Sequence, residues 1–175
     1  MDKRDYAIIG LLLVIIAMLS YGVINAYNDS QPKVFDFGNY VVTAPAGTHY
    51  HIANKDFAFY LHENDSYPFF DILYINDSAS VEKFDAMYNS LKNGHISKDE
   101  LIKENIMVMD DNSSVLDINV GDFKGEPEIS MVVQKDNYSF QGIAHIIKHN
   151  NKVFMVLEEM NNPSSTQTYN NLILK

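Results

Sequence analysis

The sequence predicts a single α+β domain held behind one apolar anchor, and three observations carry that expectation. Tyr6 to Ile24, YAIIGLLLVIIAMLSYGVI, runs without a charge. Ser80 to Asn93 places apolar residues at helical spacing. Ile129 to Gln134, Ser139 to His149 and Val153 to Glu158 read as three consecutive strands. With no internal repeat and about 145 residues after the anchor, the chain suits one domain with a proper core better than two.

At ~1.5 Å per residue, Tyr6 to Ile24 is just long enough to cross a bilayer core as a helix. Lys3, Arg4 and the α-amino group precede it, whereas Asn28 and Asp29 follow it and no cation appears before Lys33. That asymmetry keeps the amino terminus cytoplasmic and sends the rest of the chain outside. Residues 1–27 are then the cytoplasmic start and transmembrane signal-anchor, 28–33 a tether, and 34–175 the extracytoplasmic domain. A cleaved signal peptide is the competing reading, with Ser20-Tyr21-Gly22 its best cleavage point. The apolar run exceeds the ~7–15 residues of a signal-peptide core, and no A-x-A site follows it.

Formal net charge is -10 and Asp2, Lys3, Arg4 and Asp5 cancel, so the acidity lies in the domain. An acidic domain argues against nucleic acid as a partner. The absence of cysteine excludes a disulfide framework and thiolate chemistry. Asn28, Asn64, Asn76, Asn112 and Asn137 each begin an Asn-x-Ser/Thr tripeptide and are candidate glycosylation sites if the host has the machinery.

In chain order, NDSQPK reads as the tether, Val34 to Phe37 and Tyr40 to Ala44 as strands, and Pro45-Ala46-Gly47 as a turn before extended His49 to Ile52. Phe57 to His62 alternates and Phe69 to Ile75 is nearly all apolar, so the two predict an antiparallel pair whose second strand is covered on both faces. In the following helix Val81, Phe84, Met87, Tyr88 and Leu91 share a face, Ser80 is the predicted cap and Gly94 the stop. Ser97-Lys98-Asp99-Glu100 matches a capping box opening a short helix to about Asn105. Ile106 to Met109 has strand character, Asp110 to Ser114 is an acidic turn, Val115 to Val120 alternates, and Gly121 to Pro127 reads as a turn.

Two-residue turns at Asp136-Asn137 and Asn150-Asn151 fix a register for the meander. One face then collects Ile129, Met131, Val133, Phe140, Ala144, Ile146, Val153, Met155 and Leu157, the predicted core. The other carries His145, His149 and Glu158 together with Val132, Ile143, Ile147, Phe154 and Val156. Those apolar groups are either covered by a helix or form a partner-binding patch. A closing helix from Pro163, with Tyr169, Leu172 and Ile173 on one side, is expected to dock on the sheet.

Ala44-Pro45-Ala46-Gly47 with the Phe57-Ala58-Phe59 strand after it, Val120 to Glu126 before the meander, and the terminal Tyr169 to Leu174 helix together resemble the PsbP/Mog1-like fold. The resemblance spans about Val34 to Lys175 and implies a central antiparallel sheet with helices on both faces, in a family whose members are mostly non-enzymatic binding or assembly modules. His49 and Tyr50 stand where that fold usually has aromatic residues. The short-anchor architecture also resembles small archaeal surface proteins, a likeness that implies no activity.

For chemistry, His49-x-His51 is the best candidate: residues i and i+2 of a strand project to one side, so both imidazoles can share a metal ion, with His62 or a carboxylate completing the set. His145 and His149 lie about 13 Å apart along one strand, too far for one ion. Asp110-x-Asn112-x-Ser114 begins like a calcium loop, but Val115 and Gly121 stand where glycine and the bidentate glutamate belong. Asp110, Asp111 and Asp122 remain an acidic turn that could take an isolated calcium ion. There is no G-x-S-x-G, H-E-x-x-H, phosphate-binding glycine loop or cysteine nucleophile.

The sequence therefore leads to a membrane-anchored extracytoplasmic binding or assembly module, non-enzymatic and without a cofactor, whose partner is a surface protein or a small ligand. Its binding residues would be Val132, Ile143, His145, Ile147, Phe154 and Val156 if their face is open. The alternatives are a metal-binding surface domain using His49 and His51, and a structural component of the cell envelope.

Overall fold

The computed structural model describes the backbone of residues 3–54, 58–62, 68–103, 113–135 and 140–175, and their side chains except at 3–13, 53–54, 58–60, 62, 135 and 140. Helix α1 (Lys3–Asp29) is followed after Ser30-Gln31-Pro32 by strand β1 (Lys33–Asp36), so Asn28 and Asp29 belong to the helix and Lys33 to the strand. Among the described residues, no helix is long and apolar enough to cross a membrane. The described side chains of α1 begin at Val14, leaving Tyr6 to Leu13 of the apolar stretch outside them.

The strands form two sheets, where the sequence suggested one. β1 pairs with β2 (Tyr40–Ala44) across a turn that needs Gly38 at φ 82, and the last strand β10 (Ile173–Leu174) adds to the far edge of β2. The seven-stranded sheet contains β3 (His49–Asn54), β4 (Ala58–His62), β5 (Pro68–Ile75), β6 (Ser113–Phe123), β7 (Glu126–Lys135), β8 (Phe140–His149) and β9 (Lys152–Glu159). Its order is β3-β4-β5-β9-β8-β7-β6 and every neighbouring pair is antiparallel.

The turn expected over Gly121 to Pro127 is mostly strand. β6 continues to Phe123, and only Lys124 and Gly125, both at positive φ, make the reversal. Pairing from Phe123↔Glu126 outward satisfies the backbone groups that a loop would have left to solvent. In the meander, Asn150 and Asn151 at φ 49 and 58 make the predicted two-residue turn, giving His149↔Lys152. The β7–β8 link is longer: Lys135 pairs with Phe140 rather than with Tyr138, a slip of two residues. Because side chains alternate with a period of two, that slip preserves the faces, whereas a slip of one would have exchanged them.

One face of the large sheet is covered by α2 (Ser78–Lys92) and α3 (Lys98–Lys103). Phe84 and Leu101 are buried there against Ile118, Ile129, Met131, Val133, Ala144, Ile146 and Val153. The cap of α2 is Asp77, not Ser80: its side chain accepts from the Ser80 N–H at 2.8 Å, starting the helix two residues before the predicted Ser80. The capping box of α3 is formed as its sequence implies, with Glu100 reaching back to the Ser97 N–H at 2.8 Å. Ile106 to Met109 and the acidic residues Asp110 and Asp111 lie outside the described residues.

The opposite face is closed by α4 (Pro163–Asn170) and the small sheet. Asn162 caps α4 and Pro163 occupies its first turn, where a missing N–H costs no hydrogen bond. The predicted closing helix stops short of Leu174. Asn171 ends it, Leu172 is buried in the core, and Ile173 and Leu174 turn away to pair with β2, leaving Ile173 exposed rather than on the docked side. The Lys175 N–H then donates to the Asn39 carbonyl at 2.8 Å, fastening the chain end to the first hairpin.

Candidate functional site

The most concentrated chemistry lies under α4. β7, β8 and β9 run side by side and project Glu128, His145 and Glu158 from the same face, and α4 lowers Tyr169 onto them. All four are buried, the three ionisable strand residues at 9, 7 and 5 % exposure. His145 Nδ1 lies 2.5 Å from Glu128 Oε1 and Nε2 lies 3.1 Å from Glu158 Oε1. The Tyr169 hydroxyl donates a short hydrogen bond to the same Glu128 oxygen. The Tyr169 ring also stacks on the imidazole, centroids 3.9 Å apart and planes 17° from parallel.

An ionised carboxylate only accepts, so with both glutamates ionised each ring nitrogen carries a proton and donates. The raised pKa of His145 favours that doubly protonated ring, an imidazolium held between the carboxyl groups of Glu128 and Glu158. Burial alone would lower its pKa, but the hydrogen bonds and charges of Glu128 and Glu158 outweigh that and raise it. Burial pushes Glu128 up, and the His145 and Tyr169 hydrogen bonds overcome this to hold it below its ordinary value. Tyr169 is raised, first by burial and then by its bond to a carboxylate that must stay ionised. One atom is left over: Glu158 Oε2 is buried and meets no hydrogen-bond partner among the described residues.

This arrangement suits internal charge pairing and not metal binding. The two glutamates sit on opposite edges of the imidazole, so one ion cannot meet His145 and both carboxylates without rebuilding the cluster. Among the described residues, no three His, Asp or Glu side chains gather at a point fit for a metal ion.

The face that the sequence offered as a binding patch only if uncovered is not an open one. His145, Ile147, Phe154 and Val156 are buried, the last three at 0, 0 and 1 % exposure, while Val132 and Ile143 are half-buried. The correction has a plain cause: α4 and the β1–β2 hairpin, from opposite ends of the domain, close over this face, with Tyr40 packing edge-on to Phe154 at 6.1 Å. Sequence reasoning singled out His145 but missed Glu128 and Tyr169 as its partners. The alternation that put His145 and Glu158 on one face was the only available signal for the cluster.

His49 and His51 are exposed on β3, an edge strand. The backbone register sets His49 opposite His62 and His51 opposite Tyr60, with the His62 side chain outside the described residues. Asp122 accepts from the Gly125 N–H and serves the β6–β7 turn. Of the candidate glycosylation sites, Asn28 is exposed in the last turn of α1 and Asn76 is exposed between β5 and α2; Asn64, Asn112 and Asn137 lie outside the described residues.

Asp71 on β5 points to the α2 face, in register with Leu157. Its Oδ1 is buried and meets no hydrogen-bond partner among the described residues, and burial pushes its pKa up to about 7. On the same side, an apolar pocket of about 600 Å³ lies between Phe84 and Met87 of α2 and Met131, Ile146 and Met155 of the sheet.

No family profile matches the chain, and neither does any curated protein. Among solved structures, the chain is similar to the solution structure of cyanobacterial PsbP (CyanoP) from Synechocystis sp. PCC 6803. The identity is 7% and the TM-score 0.48, with 83% of this chain and 94% of that chain covered.

Proposed function

We propose that this chain is a single-pass membrane protein that displays its α+β domain outside the cytoplasm as a non-enzymatic binding or assembly module. The observation that carries the reading is the surface of α1. From Val14 to Tyr27 its apolar side chains are exposed on every side, including Ile16 at 57 %, Met18 at 70 %, Leu19 at 65 % and Val23 at 69 %. A helix apolar all round needs either a protein core or lipid around it. The 27 residues of α1 reach about 40 Å at ~1.5 Å per residue, enough for a bilayer core and part of its headgroup layers. Lys3 and Arg4 at its start favour a cytoplasmic amino terminus.

The non-enzymatic part rests on how the polar core groups are used. His145, Glu128 and Tyr169 are occupied with one another beneath α4, so the side chains best suited to proton transfer serve the fold. The surfaces left for a partner are the edge strands and the small sheet, which the three-residue link Ser30–Pro32 holds next to α1.

Because the chain has no cysteine, introduced thiols report topology cleanly. The full-length protein is expected to stay with membranes through alkaline carbonate extraction. A membrane-impermeant maleimide should label Thr166→Cys, exposed on α4, in intact cells, and label Asp2→Cys only after permeabilisation. Release by carbonate overturns the anchor, and protection of Thr166→Cys in intact cells overturns the orientation.

A further inference from the structure

We propose that the outward face of the small sheet is a membrane-contact surface, resting on the lipid headgroups beside α1; the inference deepens the anchor reading and rests on it. Cα partners in an antiparallel pair project to the same side of their sheet. Asp36, Val41 and Ile173 therefore form one outward row across the three strands, and Val34 with Thr43 begins the next. Val34 and Ile173 are exposed at 66 and 54 %, while Tyr40, Val42 and Ala44 of β2 point the other way into the core. The one charged residue in these two rows is Asp36, and Lys175 neutralises it, with Nζ 2.8 and 2.7 Å from the carboxylate oxygens. In a chain of net charge -10, that leaves an apolar surface without the acidity that would repel anionic lipid.

The reach of the chain favours lipid as what meets this surface. Beyond Ile24, Asn25 to Asp29 extend α1 by about 7.5 Å, roughly the depth of the headgroup layer, and Tyr27 is exposed at that level, where aromatic side chains are enriched. From Asp29 to Lys33 the chain can cover at most about 14 Å. It covers less, because the Ser30 N–H still bonds the Ala26 and Tyr27 carbonyls at 3.1 Å. The small sheet is thus held within reach of the headgroups. Its outward face measures about 15 Å each way, roughly 200 Å², from strand spacings of ~4.8 Å and a rise of ~3.4 Å per residue. A stable dimer needs about 800 Å² from each partner, four times what this face offers a second copy. Lipid contact needs no such area, because the anchor already holds the surface beside the bilayer at high effective concentration.

The chain has no tryptophan, so a single introduced indole reports its own surroundings. The full-length protein is reconstituted in phosphatidylcholine vesicles with and without bromine on the upper acyl chains, a short-range quencher of indole fluorescence. Three variants are compared: Ile173→Trp on the proposed face, Ile16→Trp in α1, and Leu73→Trp, exposed on the α2 face of β5. Ile16→Trp and Ile173→Trp should both be quenched, the latter about fivefold more than Leu73→Trp, since apolar groups lying on a bilayer reach ~5–10 Å into its headgroup and acyl boundary. Circular dichroism confirms that each variant is folded, and Val34→Trp becomes the face reporter if Ile173→Trp is not. Quenching of Ile16→Trp without quenching of the face reporter overturns the contact and leaves the anchor standing, whereas an unquenched Ile16→Trp overturns the anchor and the contact with it. Equal quenching of Leu73→Trp also overturns the contact. So does a face reporter whose emission shifts to the blue yet ignores bromine, because protein then covers the face.

Discussion

The two faces of the seven-stranded sheet bury polar groups under opposite conditions. On the α4 face, Glu128, His145, Glu158 and Tyr169 go into the core together and satisfy nearly all of one another's hydrogen bonds. On the α2 face Asp71, half-buried and in register with Leu157, has a buried Oδ1 that meets no hydrogen-bond partner among the described residues. The paired histidine keeps its charge and its pKa rises, whereas the lone carboxyl gives its charge up until about pH 7. Burial by itself decides neither outcome. What decides it is whether a distant segment delivers a partner, and α4 does so for one face only.

The sharpest way to break this contrast is His145→Ala. It strands two buried carboxylates without a counter-charge, and a loss of about 3–5 kcal/mol is expected in a guanidinium titration of the full-length protein. The same experiment across pH tests the pairing. Because the folded-state pKa of His145 is raised from 6.5, its contribution is fully present below pH 6.5 and is lost as pH rises through the folded value. Wild type should therefore lose stability in that alkaline window, and a curve in His145→Ala that falls just as steeply there would remove the network as the cause.

A smaller effect is expected from Tyr169→Phe, which keeps the ring on the imidazole and on Phe123 but deletes the donor to Glu128. About 1.5–2 kcal/mol should be lost, the range for a hydrogen bond to a charged group. A loss as large as that of His145→Ala would mean that the stacked ring, not the charge pairing, holds α4.

The smallest change sharpens the other side of the comparison and has the opposite sign. Asp71 binds a proton in the folded state that the unfolded chain has released, so its stability contribution is lost as pH rises from 3.8 to about 7. Asp71→Asn cannot ionise. It should match wild type near pH 4 and exceed it by about 1 kcal/mol at pH 8, within the usual range for relieving a buried unpaired polar group. An Asn variant that is less stable at pH 8 would show that the carboxylate has a partner on that face.

How far these features were legible varies with the distance over which each is decided. The capping box at Ser97 and Glu100, the Asn150-Asn151 turn and the apolar stripe of α2 are local, and their residues carry the geometry within three or four positions. The meander faces survived an error in the β7–β8 turn because the slip was even. The end of the chain was less readable: Tyr169 to Ile173 fits a helical face, yet Ile173 and Leu174 find better use as a strand beside β2, a segment more than 120 residues earlier.

By itself the sequence determined the class of the domain, the two-sided meander, the apolar character of the first helix and the His-x-His spacing on β3, since each depends on a period or a short motif. Only the tertiary structure decided that the first hairpin and the last strand form a separate sheet, that this sheet and α4 close the face for which helix cover and an open patch were the two alternatives, and that Glu128 and Tyr169 complete the surroundings of His145. The physical reason is that a partner 41 residues away, as Tyr169 is from Glu128, leaves no trace in local periodicity. Its selection comes from the shape and charge of a surface that exists only once the chain has folded.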